Sequence, residues 1–249
     1  ESIFMEHLYI PPDYSSKLSL YDTQVAIKTV KDFFQQSLAD QLYLLRVSAP
    51  LFVTPESGLN DNLNGVERPV TFGIKEQNER PAEIVHSLAK WKRNALKQYG
   101  FHIGEGLYTD MSAIRRDEDL DNLHSIYVDQ WDWERIMEPQ ERTLDYLKET
   151  VRKIVFAVRS TERTLHSMYP ALNQLPTVEP DITFVTAQEL EDLYPGLSPK
   201  EREDAFVRVH HTVFLMQIGG KLKSGVPHDG RAPDYDDWSL NGDIILFYP

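Results

Sequence analysis

The stretch Arg115–Glu134, RRDEDLDNLHSIYVDQWDWE, decides how the rest of the chain is read. It joins a charged loop to a strand. Side chains along a strand alternate between faces. From His124 onward one face therefore carries Ile126, Val128, Gln130, Asp132 and Glu134, and the other Ser125, Tyr127, Asp129, Trp131 and Trp133. A sheet with one buried and one wetted face sets apolar against polar. Here the polar triplet Gln130, Asp132 and Glu134 follows two apolar residues on the same side, the pattern of a strand leaving a packed floor and entering a cleft. The competing reading is an exposed hairpin whose charges, Arg115, Arg116, Asp117, Glu118 and Asp119, are simply solvated.

Working outward, Gly106–Ile114 alternates as the partner strand, and the Arg115–Asp121 loop returns it antiparallel. Upstream, HSLAKWKRNALKQYG (His86–Gly100) predicts a helix capped by Ser87 and stopped by Gly100. Its apolar stripe is Leu88, Trp91, Ala95, Leu96 and Tyr99, and Lys92 falls inside that stripe, four residues from both Leu88 and Leu96. Either this lysine snorkels its ammonium to water or it aims a cation at an anionic ligand.

The flanks supply helices and strands at irregular spacing. Ile27, Val30, Phe34, Leu38, Leu42 and Leu45 recur at helical steps and predict a long amphipathic helix over 23–45, with Asp22 as its N-cap. Arg46–Val53 reads as a strand with Pro50 at an edge or bulge. The Asn-rich loop GLNDNLNG (Gly58–Gly65) follows, then a strand through Val70, Phe72 and Ile74. A second long helix runs from Leu144 to Met168, and Ser198-Pro199-Lys200-Glu201 is a capping box with Pro at the first helical position. Strands are expected at 182–185, 213–218 and 244–248. Hairpins and unevenly spaced helices favour an α+β fold, an antiparallel sheet flanked by helices, over a doubly wound one. With no repeat or low-complexity linker, residues 1–249 are expected to form a single domain.

Composition excludes several classes of partner. A net charge of −13 gives no electrostatic attraction to nucleic acid or an anionic membrane. The chain has no cysteine, which removes disulfides, thiolate metal sites and cysteine nucleophiles and fits a cytoplasmic protein. No apolar run reaches membrane-spanning length. The signatures GxGxxG, GxxxxGK, HExxH and GxSxG are missing. Cations and carboxylates remain. Arg115 and Arg231 suit phosphate oxygens, because guanidinium makes forked, charge-assisted bonds. Asp234, Asp236, Asp237 and Asp243 offer hard oxygen ligands of the kind magnesium takes, although such carboxylates are more often surface decoration. Together these groups suggest a magnesium nucleotide site.

HSLAKWKR (His86–Arg93), GEGLYTDM (Gly104–Met111), RRDED, HSIYVDQWDWER (His124–Arg135), GGKL (Gly219–Leu222) and RAPDYDDW (Arg231–Trp238) occur in this order across nearly the whole chain. The set resembles bacterial ammonia-dependent asparagine synthetase. That family is similar in turn to the catalytic domain of class II aminoacyl-tRNA synthetases, above all those for aspartate and asparagine. The resemblance implies a homodimer whose interface uses the first helix and Pro50. It implies that aspartate, ATP and ammonia give asparagine, AMP and pyrophosphate through a β-aspartyl-adenylate.

It also assigns roles. Arg115 would hold the α-phosphate, with Arg231 a second phosphate ligand, and Asp236 and Asp243 would belong to the nucleotide–Mg2+ region, Asp243 as metal ligand. Lys92 would take a carboxylate of aspartate and Asp132 its α-ammonium, with Gln130 and Ser87 as neutral partners. Asp61 would act in the ammonia step, holding ammonium and accepting its proton. Two departures are visible. The family's third motif, with a further nucleotide-binding arginine, lies past the strand at 244–248 and is not in this sequence. Trp238-Ser239 also runs directly into Leu240-Asn241-Gly242 where the family has a longer loop. The alternative reading is an inactive or regulatory aspartate/ATP-binding paralogue of a class II synthetase.

Overall fold

Strand pairing is most extensive where the sequence alternates most regularly. In the computed structural model, which describes residues 7–249, the elements in chain order begin with α1 (Leu20–Leu42), β1 (Leu44–Arg46), β2 (Phe52–Val53), β3 (Thr71–Ile74), β4 (Arg80–Ile84), α2 (Ala89–Gln98), β5 (Gly106–Ile114) and β6 (Tyr127–Arg135). They continue with α3 (Leu144–Met168), β7 (Thr183–Thr186), α4 (Ala187–Leu193), α5 (Pro199–His210), β8 (Thr212–Met216) and β9 (Gly242–Leu246). The chain divides into two compact units: Leu44–Ile136 with the N-terminal segment to Ser16, and Lys17–Tyr43 with Met137–Pro249.

In the first unit, β5 and β6 pair antiparallel along their whole length, from Gly106↔Arg135 through Thr109↔Asp132 to Ile114↔Tyr127. The charged loop of 115–126 is thus the connection of a hairpin, as its sequence predicts. Residues opposite one another share a face. Leu107, Thr109, Met111 and Ala113, all buried, therefore lie on the face that carries Glu134, Asp132, Gln130 and Val128. Helix α2 covers this face. Leu88 and Trp91 pack with Met111, Ala113 and Val128, and Ala95 and Leu96 pack with Leu107. Each fully buried leucine here is worth roughly 1.5–3 kcal/mol relative to exposure. The expected packed floor is present, and α2 is its lid.

The first unit also corrects several expectations. The strand expected over 46–53 is two short ones, because the chain around Pro50 leaves one sheet for another: β1 pairs parallel with β5, whereas β2 pairs antiparallel with β4. Strand β4, flanked by β2 and β3, has no counterpart in the sequence reading. Its RPAEI pattern carries a proline and no clean alternation. The cap of α2 is Leu88 rather than Ser87.

In the second unit, β8 is buried at every position, as expected of a central strand covered on both faces. Val213 and Leu215 pack with Leu190 of α4 and Phe206 and Val207 of α5, while Phe214 and Met216 pack with Val151 and Val155 of α3. Strand β7 joins β8 in parallel and β9 joins it antiparallel. Antiparallel pairs predominate, with β1–β5 and β7–β8 the parallel ones. Helix α3 matches its predicted limits, and α5 starts at the predicted capping box. Helix α1 is shifted toward the N-terminus. Ser19, not Asp22, is its N-cap, and the helix ends at Leu42 because Tyr43 turns left-handed and Leu44 enters a sheet. Helix α4 was not expected, although Thr186 and Glu189 form a capping box that announces it. Among the described residues, no helix is long and apolar enough to cross a membrane.

Candidate functional site

Lys92 lies on the first turns of α2, where its N–H donates to Leu88 O at 3.0 Å. The side chain is 0% exposed, and its Nζ donates to Asp132 Oδ2 at 2.6 Å. Snorkelling is therefore not what this lysine does: it meets a carboxylate inside the protein. Asp132 is about one-third exposed, and its other oxygen accepts the Trp133 N–H at 3.0 Å. One turn position later, Arg93 Nε donates to Glu134 Oε2 at 3.2 Å. Two carboxylates on the polar face of β6 thus meet two cations of α2. Burial raises the carboxyl pKa of Glu134, with Asp132 adding to the rise and Arg93 opposing it.

The backbone of His86 is the hub of the neighbouring groups. Its carbonyl accepts from Gln130 Nε2 at 3.1 Å and from Arg115 Nε at 3.4 Å. Its N–H donates to Asn60 Oδ1 at 2.7 Å. Asp61, fully buried, accepts the N–H groups of Ala89 at 2.5 Å and Lys90 at 3.3 Å, and its own N–H donates to Ser87 O at 3.1 Å. Ser87 itself is half-buried. The first unit therefore brings together Asp61, Ser87, Lys92, Arg115, Gln130 and Asp132. Sequence reasoning missed Asn60 and His86. The His86 side chain is buried, with Nε2 lacking a hydrogen-bond partner among the described residues. Asn60 sits in the Asn-rich loop beside Asp61, where composition suggests turns and not a strut.

The arginine loop is tied to the segment just past the Asn-rich loop. Arg68 makes a forked contact with Asp117, Nη2 to Oδ1 at 2.6 Å and Nε to Oδ2 at 3.0 Å. Hydrogen bonding from the Arg68 side chain and backbone holds the Asp117 carboxyl far below the ordinary carboxylate range.

The remaining sequence-predicted residues belong to the second unit. Arg231 Nη1 contacts Asp229 Oδ2 at 2.7 Å and the Gly230 carbonyl at 2.8 Å, and Nη2 contacts Asp243. Burial lowers the Arg231 pKa, but Asp229, Asp243 and Asp236 outweigh it and the net direction is up. Burial also raises the Asp243 pKa, reinforced by Glu203 and Asp229, more than Arg231 offsets. Asp236 accepts Asn241 Nδ2 at 3.1 Å. Asp237 accepts from Ser239 and pairs with Arg142. Upstream, Gly219 adopts φ +126 with a Trp238 ring atom 2.7 Å from where a Cβ would stand, so only glycine lets the indole close over this turn.

Among the described residues no three His, Cys, Asp or Glu side chains are grouped to hold a metal unaided. Magnesium does not require that. It commonly takes one or two carboxylates and completes its shell with water and phosphate oxygens, and Asp243 and Asp236 fit such a donor set.

Comparison with known proteins follows the same outline. The family model described as aspartate-ammonia ligase matches residues 21–249. An aspartate–ammonia ligase of Clostridium perfringens is 60% identical over 245 residues, covering 98% of this chain and 72% of that protein. One from Fusobacterium nucleatum is 60% identical over 237 residues, covering 95% and 71%. Among solved structures, asparaginyl-tRNA synthetase from Pyrococcus horikoshii, complexed with asparaginyl-adenylate, superposes with TM-score 0.58 at 14% identity, covering 89% of this chain and 51% of that one. The enzyme from Entamoeba histolytica gives TM-score 0.57 at 14% identity, covering 92% and 50%. The chain thus spans about half the length of these synthetases, and at such identity the likeness concerns the fold alone.

Proposed function

The chain belongs to the aspartate–ammonia ligase family, and from that premise we propose that it makes asparagine from aspartate and ammonia with ATP as the activating substrate. The observation that carries this reading is the pair formed by the buried Lys92 and the partly exposed Asp132 at 2.6 Å. A cation and an anion fixed side by side are complementary to the carboxylate and α-ammonium of an amino acid. Without ligand they neutralise each other, as buried charges must. Lys92 takes a carboxylate of aspartate and Asp132 its ammonium, with Gln130 and Ser87 as neutral partners.

The chemistry has two steps. A β-carboxylate oxygen attacks the α-phosphorus of ATP. The bond from that phosphorus to the bridging oxygen breaks, and pyrophosphate leaves with the electron pair. Arg115 and Arg231 offset the repulsion between the two anions. Asp243 and Asp236 would hold Mg2+, which when bound neutralises phosphate charge. Ammonia then attacks the acyl carbon and AMP departs. Asp61 is assigned to the ammonia: a carboxylate has roughly four acceptor positions, so bonding to two backbone amides leaves capacity to hold ammonium and take its proton. In this reading residues 1–249 work as one catalytic domain, and an ATP-consuming amino-acid ligase belongs in the cytoplasm. The protein is a homodimer through α1, whose Val25, Ile27 and Phe33 are exposed apolar residues. A single monomeric species on sedimentation at micromolar concentration would contradict that last point.

Aspartate labelled with oxygen-18 in its β-carboxylate tests the whole scheme. One label should pass to AMP when ammonia is supplied. Label in orthophosphate, with ADP as product, would mean attack at the γ-phosphorus and would overturn it. ATP binding without turnover would instead favour an aspartate/ATP-binding paralogue.

A further inference from the structure

Helix α2 presents Lys92 yet carries no cap of its own. Leu88 occupies the N-cap position without a side-chain hydrogen bond, and the first turn has no acidic residue. A helix N-terminus left this way exposes orphan N–H groups and the positive end of the helix dipole. Asp61 meets both needs from a distant loop. It is buried, its two oxygens take the Ala89 and Lys90 amides at 2.5 and 3.3 Å, and its N–H clamps Ser87 O at 3.1 Å. Next to it, Asn60 takes the His86 N–H at 2.7 Å. The segment Asn60–Asp61 therefore holds His86, Ser87, Ala89 and Lys90, four of the five residues from His86 to Lys90 that lead into the lysine.

The geometry points to Asp61 as a positioning residue for aspartate binding: a remote N-cap that fixes the first turn of α2 and so holds the Lys92 ammonium against Asp132. This rests on the ligase reading and adds to it a second duty for Asp61, separate from any proton it handles in the ammonia step. The two duties have different chemical requirements. Capping rests mainly on the oxygen that takes the Ala89 amide at 2.5 Å, which asparagine keeps while giving up only the longer contact to Lys90 at 3.3 Å. Holding and deprotonating ammonium needs the charge.

The test compares Asp61→Asn, Asp61→Ala and Asp61→Glu in the whole chain, with two readouts that avoid the ammonia step. One is acylation of lysines by an N-hydroxysuccinimide ester, read peptide by peptide. The other is the aspartate concentration that half-saturates ATP–pyrophosphate exchange. The parent and Asp61→Asn should keep Lys92 protected and share a similar half-saturation. Asp61→Ala should expose Lys92 to acylation and raise the half-saturation by roughly fivefold or more, the factor that loss of a helix cap implies. Asp61→Glu keeps the charge but displaces the acceptor by one methylene. It should behave like Asp61→Ala, and it decides the matter if the alanine variant does not fold. If Asp61→Asn labels and binds as Asp61→Ala does, or if Asp61→Glu behaves as the parent, charge and not capping is what matters and the inference is wrong. If the parent shows no aspartate-dependent exchange, the ligase reading fails, and the labelling result still decides the cap.

Discussion

The two charged clusters of this protein are built in opposite ways. In the first unit, Lys92 and Asp132 stand on a helix and a strand whose facing surfaces are packed with leucine and methionine, and the lysine has no exposure at all. In the second, Arg231 hangs from an irregular stretch between β8 and β9 and is shared among Asp229, Asp243 and the Gly230 carbonyl. One pair is set by regular elements and water exclusion, the other by a half-buried loop crowded with carboxylates. The first arrangement fixes a cation and an anion side by side, as the proposed aspartate site requires. The second leaves a guanidinium shared among carboxylates, which under the proposed function would be exchanged for phosphate oxygens.

The largest effect expected from this contrast concerns stability. Removing Asp132 strands a fully buried ammonium, and breaking a buried pair costs about 3–5 kcal/mol. Lys92→Met strands only a carboxylate that is partly in water and refills the volume of the lysine stem. Asp132→Ala should therefore melt at a clearly lower temperature than Lys92→Met, by at least several degrees for a chain of this size. Equal melting temperatures would mean that the pair is wetter than its burial indicates. An alanine scan read for activity alone would conflate this cost with substrate binding.

Arg231→Ala should act on function more than on fold. It removes a charge-assisted contact worth about 1.5–3 kcal/mol, so the ATP concentration for half-saturation should rise about tenfold or more. Because Asp229 and Gly230 lie on a loop and Asp243 of β9 is about half exposed, stability should fall by less than about 1 kcal/mol. A loss of stability matching that of Asp132→Ala would erase the distinction between the clusters.

The smallest effect belongs to the exposed Arg68–Asp117 contact. Arg68 depresses the Asp117 pKa in the folded protein below its ordinary value of 3.8. The unfolded state thus binds the proton more readily, and the contribution of Asp117 to stability is full above about pH 4 and is lost as pH falls through the folded pKa. The melting difference between the parent and Asp117→Asn should stay constant from neutral pH to pH 5 and close below pH 4. It should also shrink in salt. A difference that grows on acidification has the wrong sign for this contact.

What the sequence disclosed follows from which interactions are local. The β5–β6 hairpin and helix α3 could be read closely, because alternation and a helical apolar stripe are written in consecutive residues. The polar triplet on β6 pointed to Asp132 and the apolar stripe of α2 to Lys92, and the structure pairs the two side chains at 2.6 Å. The ordered blocks led to the family that the comparisons also give. Pairing between distant segments was not legible. The parallel contacts β1–β5 and β7–β8 and the existence of β4 depend on which edges meet. The cap of α2 looked like Ser87 because the rule for caps is local, whereas the group that meets those amides lies 28 residues upstream at Asp61. His86 was invisible for a related reason: its part in the site is played by its backbone, which has no residue signature.

The most direct measurement is calorimetric binding of aspartate and of succinate, which has both carboxylates but no ammonium, to the parent, Asp132→Asn and Lys92→Met. If Asp132 receives the ammonium and Lys92 a carboxylate, Asp132→Asn should weaken aspartate binding about tenfold or more, the scale of one charge-assisted hydrogen bond, and leave succinate binding unweakened. Lys92→Met should weaken both. Equal loss of aspartate and succinate in Asp132→Asn would contradict the assignment and leave the pair a structural element of the α2–β6 interface.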